Sequence, residues 1–253
     1  MKVRVSVCIA AYNGEEYIFE QVRSVLDQMG DRDELIIVDD ASTDSTRDKV
    51  ESIKDDRVFL INNKKNIGHV RTFEKAISRA QGEFVFLADQ DDIWVEGRLL
   101  DMLETLMSSP APTVATNFYI FSGSVFKAKE NKRKLPEFYN FHSALFGIIK
   151  GDIPYYGCCM AFRSEIKDAL IPFPRFVESH DIWLAINSLF NGGITHLKKE
   201  SLYHRIHDNN ATPKRRRSLF KVLRTRLYFF VMILTSISRR FFTGRYFHAR
   251  KKN

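Results

Sequence analysis

Cysteine is scarce in this chain. There are three, Cys8, Cys158 and Cys159, with no Cys-x-x-Cys spacing and one adjacent pair. Neither a disulfide framework nor a zinc site is indicated, and a reducing cytoplasm is the expected compartment. Glycine is thin where nucleotide-binding loops need it, because the first strand-to-helix turn holds Gly14 alone. That excludes the G-x-G-x-x-G turn of dinucleotide folds, and no G-x-x-x-x-G-K-[ST] phosphate loop occurs anywhere. No stretch reaches the roughly 18 uninterrupted apolar residues of a membrane-spanning helix. Met1 to Ala11 places Lys2 and Arg4 ahead of an apolar run, yet the alternation of Val3, Val5, Val7 and Ile9 reads as a strand rather than a secretion signal. Acid is missing from one end: Pro213 to Asn253 has thirteen Lys or Arg and no Asp or Glu, so a chain of net charge +8 leaves −5 on residues 1–212. A mildly acidic body bears a strongly basic tail.

What is present is a regular alternation of short apolar runs and amphipathic stretches. Strands are expected at Val3 to Ala10, Leu35 to Val38, Val58 to Ile61 and Phe84 to Leu87, with helices from about Tyr17, Ser45, His69 and Trp94. Such repetition implies an α/β fold, a mostly parallel sheet flanked by helices through right-handed crossovers. After Pro110 the pattern loosens. A strand at Val114 to Phe121, a charged exposed segment from Lys127 to Lys134, a short helix near Glu165 to Leu170, a capped helix over SHDIWLAINSLF and a short strand at Ile194 to Leu197 complete the reading.

The fourth apolar run stops abruptly in ADQDDIW, so Asp89, Asp91 and Asp92 lie just past a buried strand. Open parallel sheets bind ligands at that edge. Three carboxylates so close repel one another unless a cation offsets them, and hard divalent cations prefer such oxygen ligands. An acidic turn capping the next helix is the plainer alternative.

VSVCIAAYNGEEYI, LIIVDDASTDST, NNKKNIGHVRTFEKAI, FVFLADQDDIW, GCCMAF, SHDIWL and HRIHDNN, in that order and spacing, resemble glycosyltransferase family 2 over roughly residues 3–212. They look most like its rhamnosyltransferase-type subgroup of bacterial polysaccharide synthesis. The resemblance implies a GT-A type fold for residues 1–212, with a nucleotide-sugar-binding part (1–107) and an acceptor-binding and catalytic part (108–212). It also implies a reaction, metal-dependent inverting transfer of a sugar from a UDP- or dTDP-linked donor to a saccharide hydroxyl, on a lipid-linked intermediate, with rhamnose favoured by the subgroup.

Site residues follow from the same resemblance. Ala11, Tyr12 and Asp39 match the nucleobase pocket, Glu15 a position supporting the ribose or the pocket, and Asp89 the ribose side. Asp91 and His207 match the residues that meet Mg²⁺ or Mn²⁺ and the diphosphate, with His204 and Arg205 as weaker helpers. Asp181 matches the base that takes the acceptor proton, although His180 stands where the broad family often has Glu. Gly157, Cys158, Met160 and Trp183 fall on the acceptor side. Read without the resemblance, Asp39 is equally a capping acid, and Asp181 reads first as an acid suited to a helix N-terminus.

The tail, residues 213–253, carries KRRRSLFKVLRTRLYFFVMILTSISRRFF, an apolar centre bracketed by arginines. It reads as a basic amphipathic helix lying on an anionic membrane surface, which would place the protein peripherally on the inner face of the cell membrane. A helix packed on the domain is the other reading, and nucleic acid is not an expected partner. Two rival functions remain: a nucleotide-binding oxidoreductase, weakened by the missing glycine turn, and a non-catalytic protein recruited to membranes by the tail.

Overall fold

Alternation of inward-facing residues on strands covered from both sides sets the architecture. In the computed structural model, which describes residues 4–130, 134–136, 140–152, 155–207 and 219–242, β1 (Val5–Ala11), β2 (Glu34–Asp39), β3 (Val58–Asn62) and β4 (Phe84–Asp89) run parallel. Val5, Val7, Ile9, Leu35, Ile37, Phe84 and Phe86 pack on one face of the sheet, and Cys8, Ile36, Val38, Val85 and Leu87 on the other. Burial on both faces is what makes these segments continuous apolar runs. Helices α1 (Ile18–Leu26), α2 (Thr46–Glu51) and α3 (His69–Arg79) are the crossovers.

The sheet continues past the parallel strands in the order β3-β2-β1-β4, then β8 (Met160–Arg163), β6 (Thr113–Phe121), β9 (Ile194–Arg205) and β5 (Ile93–Trp94), with β7 (Lys129–Glu130) on β6. Ile93–Trp94 forms β5, paired antiparallel to β9, and helix α4 begins at Arg98. The expected helix start at Trp94 is therefore too early, because a pairing to a strand over a hundred residues away overrides the local period. β6 (Thr113–Phe121) and the two-residue β7 (Lys129–Glu130) follow, then α5 (Phe141–Lys150), β8 (Met160–Arg163), α6 (Lys167–Leu170) and α7 (His180–Phe190). β9 spans Ile194–Arg205, three times the short strand expected, and pairs parallel to β6 through two register shifts. Its far end delivers His204 and Arg205 to the tip of β4.

The last described element, α8 (Leu219–Phe242), lies against α6 and α7. Phe229 and Met232 enter the core, and Ser236 Oγ donates to Asn187 Oδ1 at 3.0 Å. Arg239 caps the carbonyls of Ala169, Leu170 and Pro172, and Arg240 that of Phe190. The basic helix thus packs on the body along one side. The rest of the basic tail, 213–218 and 243–253, lies outside the described residues, as do 208–210 of HRIHDNN and 131–133 of the charged segment.

Candidate active site

The loops that follow β1, β2 and β4 converge at the carboxyl edge of the sheet. Ala11 ends β1 opposite Asp39, the last residue of β2. Asp39 is buried and takes the amide of Ser42 at 3.0 Å and its hydroxyl at 2.5 Å. The turn between them places Ala41 at φ 62°, a left-handed geometry that costs a non-glycine residue energy. Asp40 takes the amides of Ile67 and Gly68 and the side chain of Asn63, so it pins the 62–68 loop. Glu15 accepts from the Ser45 amide at 2.9 Å while its own amide donates to Asp44. It therefore braces the start of α2, with its ribose-supporting role still a proposal.

Gln90, to which the sequence reading gave no role, joins these loops. The Tyr12 amide donates to Gln90 Oε1 at 2.8 Å, and Gln90 Nε2 returns a bond to the Tyr12 carbonyl at 3.1 Å. A Cβ at position 14 would sit 2.4 Å from Gln90 Oε1, which accounts for the single glycine of this turn. The loop after β1 and the acidic motif are thereby tied together.

The three aspartates of the motif take different environments. Asp91 Oδ2 meets His207 Nε2 at 2.7 Å, and the His207 ring lies 4.8 Å from that of Tyr17. Asp92 is fully buried and serves β9: its Oδ1 accepts from the Arg205 amide at 3.1 Å and lies 2.9 Å from His204 Nδ1. It does not cap α4, whose N-cap residue is Gly97. Asp89 is lifted to about 7 by burial and by the charges of Asp92, Asp91 and Asp181. Asp91 is also raised, by burial first and Asp92 second.

Asp181 arrives from the other half of the chain. Ser179 caps α7 by accepting from the Ile182 amide, so Asp181 stands in the first turn. His180 is buried, stacked on Phe73 with ring centroids 4.0 Å apart, and its Nε2 is 2.7 Å from Asp181 Oδ1. That is ion-pair range without the alignment of a hydrogen bond, and Asp181 Oδ1 and both His180 nitrogens are buried with no hydrogen-bond partner. Burial alone would lower the His180 pKa, but the adjacent Asp181 charge outweighs it and raises it.

Several expected residues serve elsewhere. Trp183 is wholly buried and donates from its indole to the Leu170 carbonyl, so it cannot line an acceptor surface. Met160 and Cys158 are likewise in the core, because the 157–159 turn leads straight into β8. Gly157 lies against Asp181, where a Cβ on it would sit 2.5 Å from Asp181 Oδ1. Arg205 lies between the rings of Tyr17 and Phe121, at 4.7 and 4.6 Å, and binds Glu20 and the Asp91 carbonyl. It is a clamp beneath the motif rather than a free phosphate ligand, and His204 is held by Asp92. A second clamp escaped the sequence altogether: the buried Arg98 guanidinium binds Thr116, Ser201 and the Cys158 carbonyl and sits 5.0 Å from the Trp94 ring.

The donor set fits a hard divalent cation. Asp89 and Asp91 are part-buried carboxylates, each raised first by burial and next by the charge of Asp92, and one buried oxygen of the facing Asp181 has no hydrogen-bond partner. Positive charge placed among them would relieve that cost. Asp92, Cys158 and His204 also bring ligand atoms within 4.8 Å of one another. There, however, Asp92 Oδ1 is committed to the Arg205 amide as well as to His204, and the neighbouring Cys159 and burial push the Cys158 thiol up, away from a metal-binding thiolate. A cleft of about 540 Å³ opens beside His207, between Glu16 and Tyr17 on one side and Ser122, Gly123 and Ile206 on the other.

Known proteins resemble this chain. A putative teichuronic acid biosynthesis glycosyltransferase of Bacillus subtilis is 42% identical over 108 residues, 42% of this chain and 43% of its own length. An Escherichia coli protein named UDP-Glc:alpha-D-GlcNAc-diphosphoundecaprenol beta-1,3-glucosyltransferase is 34% identical over 116 residues, 46% of each chain. This chain thus spans less than half the length of either. An uncharacterized glycosyltransferase of Haemophilus influenzae is 36% identical over 224 residues, 82% of this chain and 67% of its own. In three dimensions, S. aureus TarS 1-349 in complex with UDP-GlcNAc superposes with a TM-score of 0.72 at 20% identity, over 99% of this chain and 76% of that one. At that identity the likeness is one of fold, the GT-A type expected. The family described as glycosyl transferase family 2 matches residues 6–170, from β1 through the acidic motif to the end of α6, and the chain belongs to it.

Proposed function

We propose that the protein transfers a sugar from a nucleoside diphosphate sugar to a hydroxyl of a growing bacterial polysaccharide, with inversion at the anomeric carbon. The observation carrying this reading is the meeting of Asp181, at the head of α7, with the acidic end of β4 beside the sheet edge at Ala11, Tyr12 and Asp39. Asp39 accepts the imide N–H of uracil or thymine. Asp89 takes the ribose side, and Asp91 with His207 would hold Mg²⁺ or Mn²⁺. When bound, such a cation supplies Lewis-acid stabilisation of the departing nucleoside diphosphate. Asp181 removes the proton of the acceptor hydroxyl as its oxygen bonds to the anomeric carbon and the bond from that carbon to the diphosphate oxygen breaks.

The acceptor in this reading is lipid-linked, in keeping with the undecaprenol-diphosphate substrate named for the Escherichia coli relative. The donor nucleotide is uridine or thymidine diphosphate, and the UDP-Glc named for the Escherichia coli relative supports uridine. The protein would work at the inner face of the cell membrane through its basic tail, no helix among the described residues being long and apolar enough to cross it. A panel of UDP- and dTDP-sugars, assayed for release of nucleoside diphosphate with Mn²⁺, Mg²⁺ or chelator, tests the reading. Turnover of one hexose donor, rhamnose included, that chelator abolishes is the expected result. Release from no donor, or release indifferent to chelator, would overturn it.

A further inference from the structure

Helix α8 is apolar on two opposite sides. Phe229, Met232 and Ser236 face the body, whereas Leu227, Phe230 and Leu234 are 60%, 58% and 50% exposed. A surface helix in water carries one apolar stripe. The second stripe needs a cover that the described chain does not provide.

Its neighbour shares the anomaly. On α5, Ala144, Gly147 and Ile148 turn inward while Phe146 is 65% and Ile149 36% exposed. The two helices flank α7 and are fastened to each other's ends. At one end Arg226 of α8 donates to the Lys150 carbonyl that closes α5, at 2.8 Å. At the other, Phe190 of α7 stacks edge-on against Phe141, the first residue of α5, and accepts from Arg240 of α8. The pair therefore runs antiparallel as one unit.

Charge decides what covers them. Arg224, Arg226, Arg239 and Arg240 are engaged by Glu178 or by backbone carbonyls, so they anchor α8 rather than attract a partner. The other nine of the thirteen Lys and Arg from Pro213 onward stand in sequence around the exposed stripe, without one acid among them. A second copy of this face would bring two such runs together and be repelled. An anionic lipid surface attracts them and accepts the apolar side chains beneath its headgroups.

We propose that the outer sides of α5 and α8 form a single docking surface for an anionic bilayer, with Phe146, Ile149, Leu227, Phe230 and Leu234 seated in the headgroup-to-acyl boundary. This rests on the membrane-peripheral reading above and adds α5 to it. Seated so, α7 lies between the two anchoring helices and holds Asp181 at a fixed height over the lipid.

Vesicle flotation of the full chain tests this, with phosphatidylcholine alone against phosphatidylcholine mixed with phosphatidylglycerol. The protein should float with the mixed vesicles and not with the neutral ones. The set Leu227→Ser, Phe230→Ser, Leu234→Ser and the set Phe146→Ser, Ile149→Ser should each lower partitioning at least about tenfold, with unchanged thermal midpoints because all five side chains already face solvent. Binding insensitive to the α5 set but lost with the α8 set would overturn the two-helix surface while sparing the tail reading. No flotation at all would overturn both and leave the sugar-transfer assay untouched. A stable dimer in light scattering that the α8 set dissolves would overturn the lipid assignment in favour of a second copy.

Discussion

Gly157 stands so close to Asp181 that a methyl group on it would lie 2.5 Å from Asp181 Oδ1 and 2.6 Å from His180 Nε2. His180 cannot retreat, being stacked on Phe73 in the core, so Gly157→Ala should push the Asp181 carboxylate aside. Displacing a reacting group by about an ångström costs on the order of a hundredfold in rate. Steady-state transfer kinetics should show that loss in kcat with donor affinity kept, and an unchanged kcat would remove Asp181 from the reaction.

Asp181→Asn should lower transfer by about a hundredfold or more, as loss of a positioned base does. Calorimetric donor binding should be spared. The nearby Glu178 is not poised to replace it, since it pairs with Arg224 at 2.9 Å on the surface. Near-normal transfer by the variant would move the base elsewhere.

Asp91→Asn should abolish turnover, because several kcal/mol of charge stabilisation depend on the cation it would hold. The binding readout is independent of turnover: Mn²⁺ titrated calorimetrically into the free protein should bind at least about tenfold more weakly to the variant. Equal Mn²⁺ affinity in both proteins would rule Asp91 out as a ligand.

The His204–Asp92 pair gives stability a pH signature. Burial alone would depress His204, yet its bond to Asp92 and that charge lift it from 6.5 to about 9. The folded value lies above the unfolded one, so the stabilisation is full below pH 6.5 and lost as pH rises through 9. Thermal midpoints should fall over that interval in the wild type, and His204→Gln should flatten the slope. A variant with the wild-type slope would place the titration on another group.

Much of the donor side was legible because strands buried on both faces write themselves as apolar runs, and the acids that end β2 and β4 mark where the runs stop. Residues held by long-range contacts were not. Trp94 sits in β5 only because Leu202 pairs with it across the chain. Arg98 reads as a solvent-facing charge until Thr116, Ser201 and the Cys158 carbonyl surround it. Helix α5 went unread because apolar residues on both its sides blur the 3.6-residue period, although Asn140 and Ser143 form a capping box at its start. The resemblance implies an acceptor side for Cys158, Met160 and Trp183 through the motifs that contain them, but a motif does not say which face each side chain takes, and all three turn into the core.

Strand β4 hydrogen-bonds to β1 on one edge and to β8 on the other, so the two halves of the molecule share one unbroken sheet. Among the described residues such a sheet offers no hinge about which one half could close on the other. Donor loading should therefore leave the radius of gyration in solution scattering unchanged, and should slow amide hydrogen exchange only in the rim loops around Tyr12, Asn63 to Gly68 and Ile206. Exchange altered along the β4–β8 seam would show a jaw-like enzyme instead of a rigid plate with a movable rim.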